Sequence, residues 1–144
     1  MGCGYIPGRL MTKMNKFVAM CIAPLLFSAI HISHPNIGLF PLFNLFLAGL
    51  LLGASYMYTR NLWFPIFLHT AWNWIQGPIL GYEVSGTKMF PSVINLHLPE
   101  ENIINGGRFG FEGSIICTIL MIIGTAAIIG WYTRKQQRGM ATED

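Results

Sequence analysis

The distribution of charged residues constrains the fold of this chain more than any other feature of its sequence. Apart from Arg60, no Asp, Glu, Lys or Arg occurs between residues 17 and 82, and none occurs between 113 and 133. The uncharged runs cover 43 residues (17–59), 22 residues (61–82) and 21 residues (113–133). A helix of about 20 apolar residues crosses the ~30 Å hydrocarbon core of a bilayer. The runs therefore predict an all-α polytopic membrane bundle with about four transmembrane helices.

The composition agrees with this fold and excludes several classes of protein. Only 10% of the 144 residues are charged and 53% are hydrophobic, whereas a soluble domain carries about 25% charged residues. Intrinsic disorder, a coiled coil and most soluble enzymes are excluded on this ground. The net charge of +3 favours the lipid bilayer as partner and not nucleic acid, because no basic cluster with interleaved aromatic residues is present. The three cysteines lack the spacing of a disulfide framework or a structural zinc site.

Prolines and polar turns divide the apolar runs into spans of one membrane domain that covers residues 1–144. The first span ends before Pro35, because the residue that precedes a proline disfavours the helical conformation. Gly49 and Gly53 form a GxxxG pair, which predicts a close approach of another helix. Residues 83–112 form one long connection. The predicted spans are about 17–33, 37–58, 62–82 and 113–133.

The basic residues are unevenly distributed between the two sides of such a bundle. With four spans, seven of the nine Lys and Arg residues fall in the first 16 residues, the turn at 59–61 and the tail after residue 133. These three segments lie on one side of the membrane, and basic residues are enriched in cytoplasmic segments. Both termini are therefore expected to be cytoplasmic.

Polar side chains inside the predicted spans are the candidates for chemistry, because placing them in lipid is costly. His69, Asn73 and Gln76 have the i, i+4, i+7 spacing that puts side chains on one helix face, and Trp72 borders that face. The other candidates are His31, Asn44, Ser28, Ser55 and Thr70.

Two histidines on different spans are expected to lie at similar depth in the membrane. His31 shares a helix face with Phe27, one turn away, and the rise of ~1.5 Å per residue puts both His31 and His69 near the middle of the bilayer. Two imidazoles so placed can coordinate one metal ion or share one polar cavity. The alternative is a structural role, because polar residues also form hydrogen bonds between membrane helices, worth ~0.6 kcal/mol on average. His34, next to Pro35, is expected at the membrane interface.

A longer pattern resembles a known family. The stretch Phe46-x-x-Gly49-x-x-x-Gly53-x-x-Tyr56-x-x-Thr59-x-x-Leu62-Trp63-x-Pro65-Ile66-x-x-His69-x-x-x-Asn73 resembles a signature of the CPBP family, which contains the type II CAAX prenyl proteases and the bacterial bacteriocin-processing and self-immunity proteins. Phe27-x-x-x-His31 is similar to the second motif of that family, and His69-x-x-x-Asn73 to the third. Phe111-Glu112-Gly113-Ser114 is similar to bacterial members.

The resemblance implies a function and a set of site residues. It implies an intramembrane metal-dependent endopeptidase of a bacterial cytoplasmic membrane that hydrolyses membrane-associated or prenylated peptides. His31 and His69 would bind a divalent metal, zinc, or the attacking water. Asn73 would support the transition state, and Phe27 and Trp72 would line the site.

The sequence departs from the family pattern in its acidic residues. It contains no E-E-x-x-x-R motif, which supplies the family's glutamate pair, and no glutamate lies in a predicted span. Glu83 and Glu112 fall in the connection and are expected at the outer surface; the less favoured alternative is that one of them folds back as a substitute base. The chain is therefore expected to be the C-terminal part of a longer protease domain, with little or no peptidase activity of its own, and to act with a missing N-terminal half or as a homo-oligomer. A non-catalytic immunity or binding protein and half of a transporter are the alternatives.

Overall fold

The computed structural model describes residues 16–34, 36–87, 91–94 and 102–140, and this part of the chain is helical. It contains no β-strand, and its one isolated β-bridge joins Val84 to Thr87. The all-α fold class is therefore as predicted. The four α-helices are α1 (Lys16–Ile30), α2 (Leu39–Thr59), α3 (Trp63–Trp74) and α4 (Ile115–Met140).

The end of α1 follows the proline rule that the sequence suggested. Helix α1 continues into a 3₁₀ turn at His31–Ser33. His34 then adopts φ −72° and ψ 146°, the extended conformation favoured by a residue that precedes a proline. As a result, His31 lies just beyond the end of α1, in the turn.

Polar groups close the short connection between α2 and α3. Arg60 adopts the left-handed conformation at φ 53°, and its backbone N–H donates to the carbonyl of Tyr56 at 2.8 Å. The side-chain oxygen of Asn61 accepts a 3.0 Å hydrogen bond from the backbone N–H of Trp63, which satisfies one of the free donors at the start of α3. Helix α3 continues into a π-helical turn at Ile75–Ile79 that contains Pro78.

Helix α2 is central and contacts the other three helices. A Cβ atom added to Gly49 would lie 2.8 Å from Cα of Pro24, so α1 and α2 touch there through their backbones. At Gly53 the nearest atom would be Cγ of Met20, at 3.9 Å, which is an ordinary contact. The close approach predicted from the GxxxG pair therefore depends on Gly49.

The described part of the 83–112 connection packs against the bundle. Two 3₁₀ turns, Gly107–Phe109 and Phe111–Gly113, precede α4, and the side chain of Phe109 is fully buried. Asn44 of α2, which is 1% exposed, holds this end of the connection. Its Nδ2 donates to the carbonyls of Glu112 at 2.7 Å and Ser114 at 2.9 Å, and its Oδ1 accepts from Thr118 Oγ1 at 2.6 Å. Asn44 thus has a structural role that the sequence left open.

Two helices of the described residues are long and apolar enough to cross a membrane. They are Leu39–Thr59, with a mean hydropathy of 1.7, and Ile115–Gly139, with a mean hydropathy of 2.2. A shorter apolar segment covers Met20–Ser33. Much of α4 faces outward with large apolar side chains exposed, as in Ile119 and Ile123, which suits a surface in contact with lipid. That α1 and α3 also cross the membrane stays a prediction.

Candidate functional site

A cavity of about 50 Å³ lies where the four helices meet, and the two histidines line it together. The volume is enough for a few water molecules. All four of the predicted residues Phe27, His31, His69 and Trp72 are among the residues that line it. Their functional roles stay predictions. The other lining residues are Leu45, Ala48, Leu51, Leu52, Leu68, Ser85, Glu112 and Met121.

Phe27 lies beside both imidazole rings. Its ring centroid is 4.7 Å from that of His31 and 5.9 Å from that of His69, which it meets edge-on at 87°. The rings therefore come from separate elements, the turn after α1 and the middle of α3, and converge on one phenyl ring. Neither imidazole is packed singly among aliphatic side chains.

Hydrogen bonds determine how His31 and His34 are oriented. Nδ1 of His31 lies 2.8 Å from the carbonyl oxygen of Phe27. Because a carbonyl only accepts, Nδ1 carries the proton and Nε2 keeps the lone pair when the ring is neutral. The ring of His34 lies 4.8 Å from that of His31, and its Nδ1 donates to the carbonyl of Ser85 at 3.2 Å. His34 was expected only at the membrane interface, and its contacts with His31 and Ser85 were not predicted.

The structure corrects the expected position of Glu112. Its side chain is 8% exposed and lines the cavity, so its placement at the outer surface was wrong. Gly110, at φ 91°, permits the tight turn that brings it inward, and a Cβ atom there would collide with the carbonyl of Glu83. The carboxylate oxygen Oε2 of Glu112 accepts hydrogen bonds from the Ser85 N–H at 3.1 Å and the Ser85 hydroxyl at 2.8 Å.

Glu112 also interacts with His69 through its charge. Both Glu112 and His31 lie close enough to His69 to act on it electrostatically. The described part of the chain contains two acidic residues, Glu83 and Glu112, and Glu112 is the one that lines the cavity. A buried carboxylate requires hydrogen-bond donors to offset its lost hydration, and the turn at Ser85 supplies two.

Asn73 and Gln76 lie further along α3 and its π turn, and neither is among the residues lining the cavity. Asn73 follows His69 by about one helical turn on α3, and its role in the site stays a prediction. Within the described residues, several buried polar atoms in this region have no hydrogen-bond partner: Trp72 Nε1, Asn73 Oδ1 and both amide atoms of Gln76. Gln76 is 2% exposed. Buried polar groups normally find partners in protein or ordered water, so this face of the helix has unused hydrogen-bonding capacity.

The donors present do not by themselves fit a resident zinc ion. Within residues 16–34, 36–87, 91–94 and 102–140, no three His, Cys, Asp or Glu side chains are grouped so that they could hold a metal. Catalytic zinc sites usually have three protein ligands, and His31 and His69 are two. Metal binding by these histidines, which the family resemblance implies, is therefore untested, and two ligands alone predict only weak binding of zinc.

Sequence reasoning missed Ser85 as a residue of the site and treated Glu112 only as a less favoured substitute base. Two signals were available in the sequence. Glycines at 106, 107, 110 and 113 surround Glu112 and favour a tightly folded segment. Asn44, a polar residue in a predicted span, needed buried partners, and its partners prove to be the carbonyls of Glu112 and Ser114.

Comparison with known families identifies a family for about half of the chain. The family model described as type II CAAX prenyl endopeptidase, Rce1-like, matches residues 3–75. The matched region contains Phe27, His31, His69, Trp72 and Asn73 and ends before Glu112. No curated protein and no solved structure matches the chain.

Proposed function

Because the chain belongs to the Rce1-like family of type II CAAX prenyl endopeptidases, we propose that it hydrolyses peptide bonds of prenylated or otherwise membrane-associated peptides. The observation that supports this most is the shared cavity, in which His31 and His69 converge from separate elements. A purely structural pair would be expected to use its ring nitrogens for bonds between helices. The hydrogen bond of His31 instead goes from Nδ1 back to the Phe27 carbonyl, so Nε2 keeps its lone pair when the ring is neutral.

The reaction requires a water molecule, a scissile carbonyl and a route for one proton. The water oxygen attacks the carbonyl carbon, the C–N bond breaks, and the proton lost by the water reaches the leaving nitrogen. Nε2 of His31 can accept a hydrogen bond from the water and so direct its lone pair, while His69 holds the water or the carbonyl oxygen. The apolar walls, such as Leu45 and Leu52, exclude bulk water and strengthen these interactions. None of these steps passes through a metal ion.

Helix α3 offers groups for the carbonyl oxygen of the substrate. Trp72 lines the cavity, and its buried Nε1–H has no protein partner among the described residues. A donor of this kind can stabilise the negative charge that develops on a carbonyl oxygen during attack. Asn73 is its neighbour in sequence, and we retain it as a supporting residue that would reach the substrate once the cavity has opened.

The proposal includes a location. The family is membrane-embedded, and the apolar helices α2 and α4 agree with this. We propose a bacterial cytoplasmic membrane with both termini on the cytoplasmic side, because the basic residues are concentrated in the terminal segments and the turn at Arg60.

The test uses the full chain, purified in detergent and returned to liposomes. The probe is a quenched fluorescent peptide that ends in a farnesylated Cys-a-a-X sequence. We expect the wild type to cleave it, and His31→Ala and His69→Ala each to lower kcat by about 100-fold or more. His97→Ala is the matched control; this histidine lies in the connection and outside the described residues, and its variant should cleave at the wild-type rate. No cleavage by the wild type, or full activity in His69→Ala, would overturn the proposal.

A further inference from the structure

One carboxylate lines the same cavity as the two imidazoles, and nothing in the family match accounts for it. Glu112 lines the same cavity as His31 and His69 and interacts electrostatically with His69. It lies outside the matched residues 3–75. A carboxylate beside a pocket large enough for water has the chemistry of a general base.

The position of Glu112 is fixed from two directions. Its side chain is held at Oε2 by the N–H and the hydroxyl of Ser85. Its backbone is held by the side chain of Asn44, which donates to its carbonyl at 2.7 Å. A group that transfers protons must be held in place beside the reacting atoms, and these three hydrogen bonds supply that restraint.

The turn that holds the carboxylate has an unusual backbone conformation and is bonded to both Glu112 and His34. Ser85 lies in the left-handed region at φ 50°, which costs a residue other than glycine about 1–3 kcal/mol. Its N–H and hydroxyl bind Glu112, and its carbonyl accepts from His34. Backbone conformations of this kind persist where the surroundings enforce them, often at functional sites.

We propose that Glu112 is the general base of the reaction, an assignment that rests on the peptidase function proposed above. Its carboxylate takes a proton from a cavity water as the water oxygen forms a bond to the scissile carbonyl carbon. When the C–N bond of the tetrahedral intermediate breaks, the protonated carboxyl group gives that proton to the leaving nitrogen. One water is consumed, and a carboxylic acid and an amine are formed. The chain would then contain a base of its own, in contrast to the expectation drawn from the missing E-E-x-x-x-R motif.

Glu112→Gln separates this role from a structural one. The amide oxygen of Gln can still accept both hydrogen bonds from Ser85, but Gln cannot take up a proton. If Glu112 is the general base, Glu112→Gln should lower kcat for the farnesylated probe by about 10²–10⁴-fold and change KM little. The thermal transition and the elution volume should stay at their wild-type values. A purely structural role predicts near-normal cleavage instead, and that result would overturn the assignment.

Two further variants keep the test decisive. Glu83→Gln makes the same charge change at the other described acidic residue, outside the cavity lining, and should cleave like the wild type. Glu112→Ala removes the side chain, and sodium formate added to it should restore part of the activity if a carboxylate is the missing group. If Glu112→Gln fails to fold, this rescue decides: cleavage restored by formate supports the base, and no restoration argues against it.

The outcomes for the two proposals are distinct. Cleavage by the wild type, its loss in His69→Ala and its retention in Glu112→Gln would leave the peptidase function standing and remove Glu112 as base. No cleavage by the wild type would remove both. Loss of cleavage in folded Glu112→Gln, with activity retained in Glu83→Gln, would support both.

Discussion

Replacing Asn44 tests whether one buried amide holds the start of α4 and the Glu112 turn to the central helix. Asn44→Ala removes three hydrogen bonds, to the carbonyls of Glu112 and Ser114 and from the hydroxyl of Thr118. The carbonyl of Ser114 keeps a 3.2 Å hydrogen bond from the N–H of Thr118. The carbonyl of Glu112 loses its bond to Asn44 within a buried turn.

The expected loss of stability follows from these contacts. Hydrogen bonds between membrane helices average ~0.6 kcal/mol, so three of them account for about 2 kcal/mol. A buried carbonyl left without a donor adds about 1–3 kcal/mol. We therefore expect Asn44→Ala to lower the free energy of unfolding by ~3–5 kcal/mol. Thr118→Val removes one of the three bonds and keeps the side-chain shape, but it leaves the buried Oδ1 of Asn44 without that donor. It should therefore cost about 2–4 kcal/mol, about 1 kcal/mol less than Asn44→Ala.

Unfolding can be followed by tryptophan fluorescence as SDS is titrated into the protein in mixed micelles. Equal stability of Asn44→Ala and Thr118→Val would refute the reasoning, because it would mean that the bonds to the Glu112 and Ser114 carbonyls contribute nothing. The same Asn44 variant should also lose cleavage of the farnesylated probe at temperatures where it is still folded, since the backbone of Glu112 is no longer held.

Three other predictions follow from the packing, the ligand count and the charge distribution. Gly49→Ala should destabilise the protein by about 1–3 kcal/mol in the same SDS titration, because its Cβ would overlap the backbone of Pro24. Gly53→Ala, where a Cβ has space, should have nearly the wild-type stability. Equal effects of the two substitutions would contradict the close contact at Gly49. Zinc added to the purified protein should be lost on dialysis, because the two site histidines fall short of the usual three ligands. The zinc content per chain can be measured by mass spectrometry of the metal. If the wild type retains one zinc per chain and His69→Ala retains none, a further ligand exists. In intact cells, Arg60→Cys should not react with a membrane-impermeant maleimide until the membrane is opened, and labelling from outside would reverse the proposed topology.

The helices were predictable because the signals that define them are local. The charge-free runs, the proline after His34 and the turn at Arg60 gave bounds within a few residues for α1 and α2 and for the start of α4. Helix α3 gives way at Trp74 to a π turn that contains Pro78, several residues before the predicted end of its span at 82. A proline in the sequence marks such a disturbance, but it does not specify which turn results.

The carboxylate of the site was not predictable in the same way. The position of Glu112 depends on contacts with Asn44 and Ser85, which are distant in sequence. The positive-inside rule assigns the 83–112 connection to a side of the membrane, but it does not say whether a loop folds back into the bundle. The histidines were easier to find, because a polar side chain inside a predicted membrane span costs free energy and is therefore a functional candidate.

The small volume of the cavity determines how a peptide could be cleaved in it. About 50 Å³ admits a few waters, whereas an amide with its two flanking side chains is far larger. A peptide therefore reaches the imidazoles only if part of the cavity wall moves. The turn at Ser85, which is bonded to Glu112 and His34, is one part of that wall. If this movement is slower than the chemical step, tightly ordered lipids should lower kcat more than they change KM.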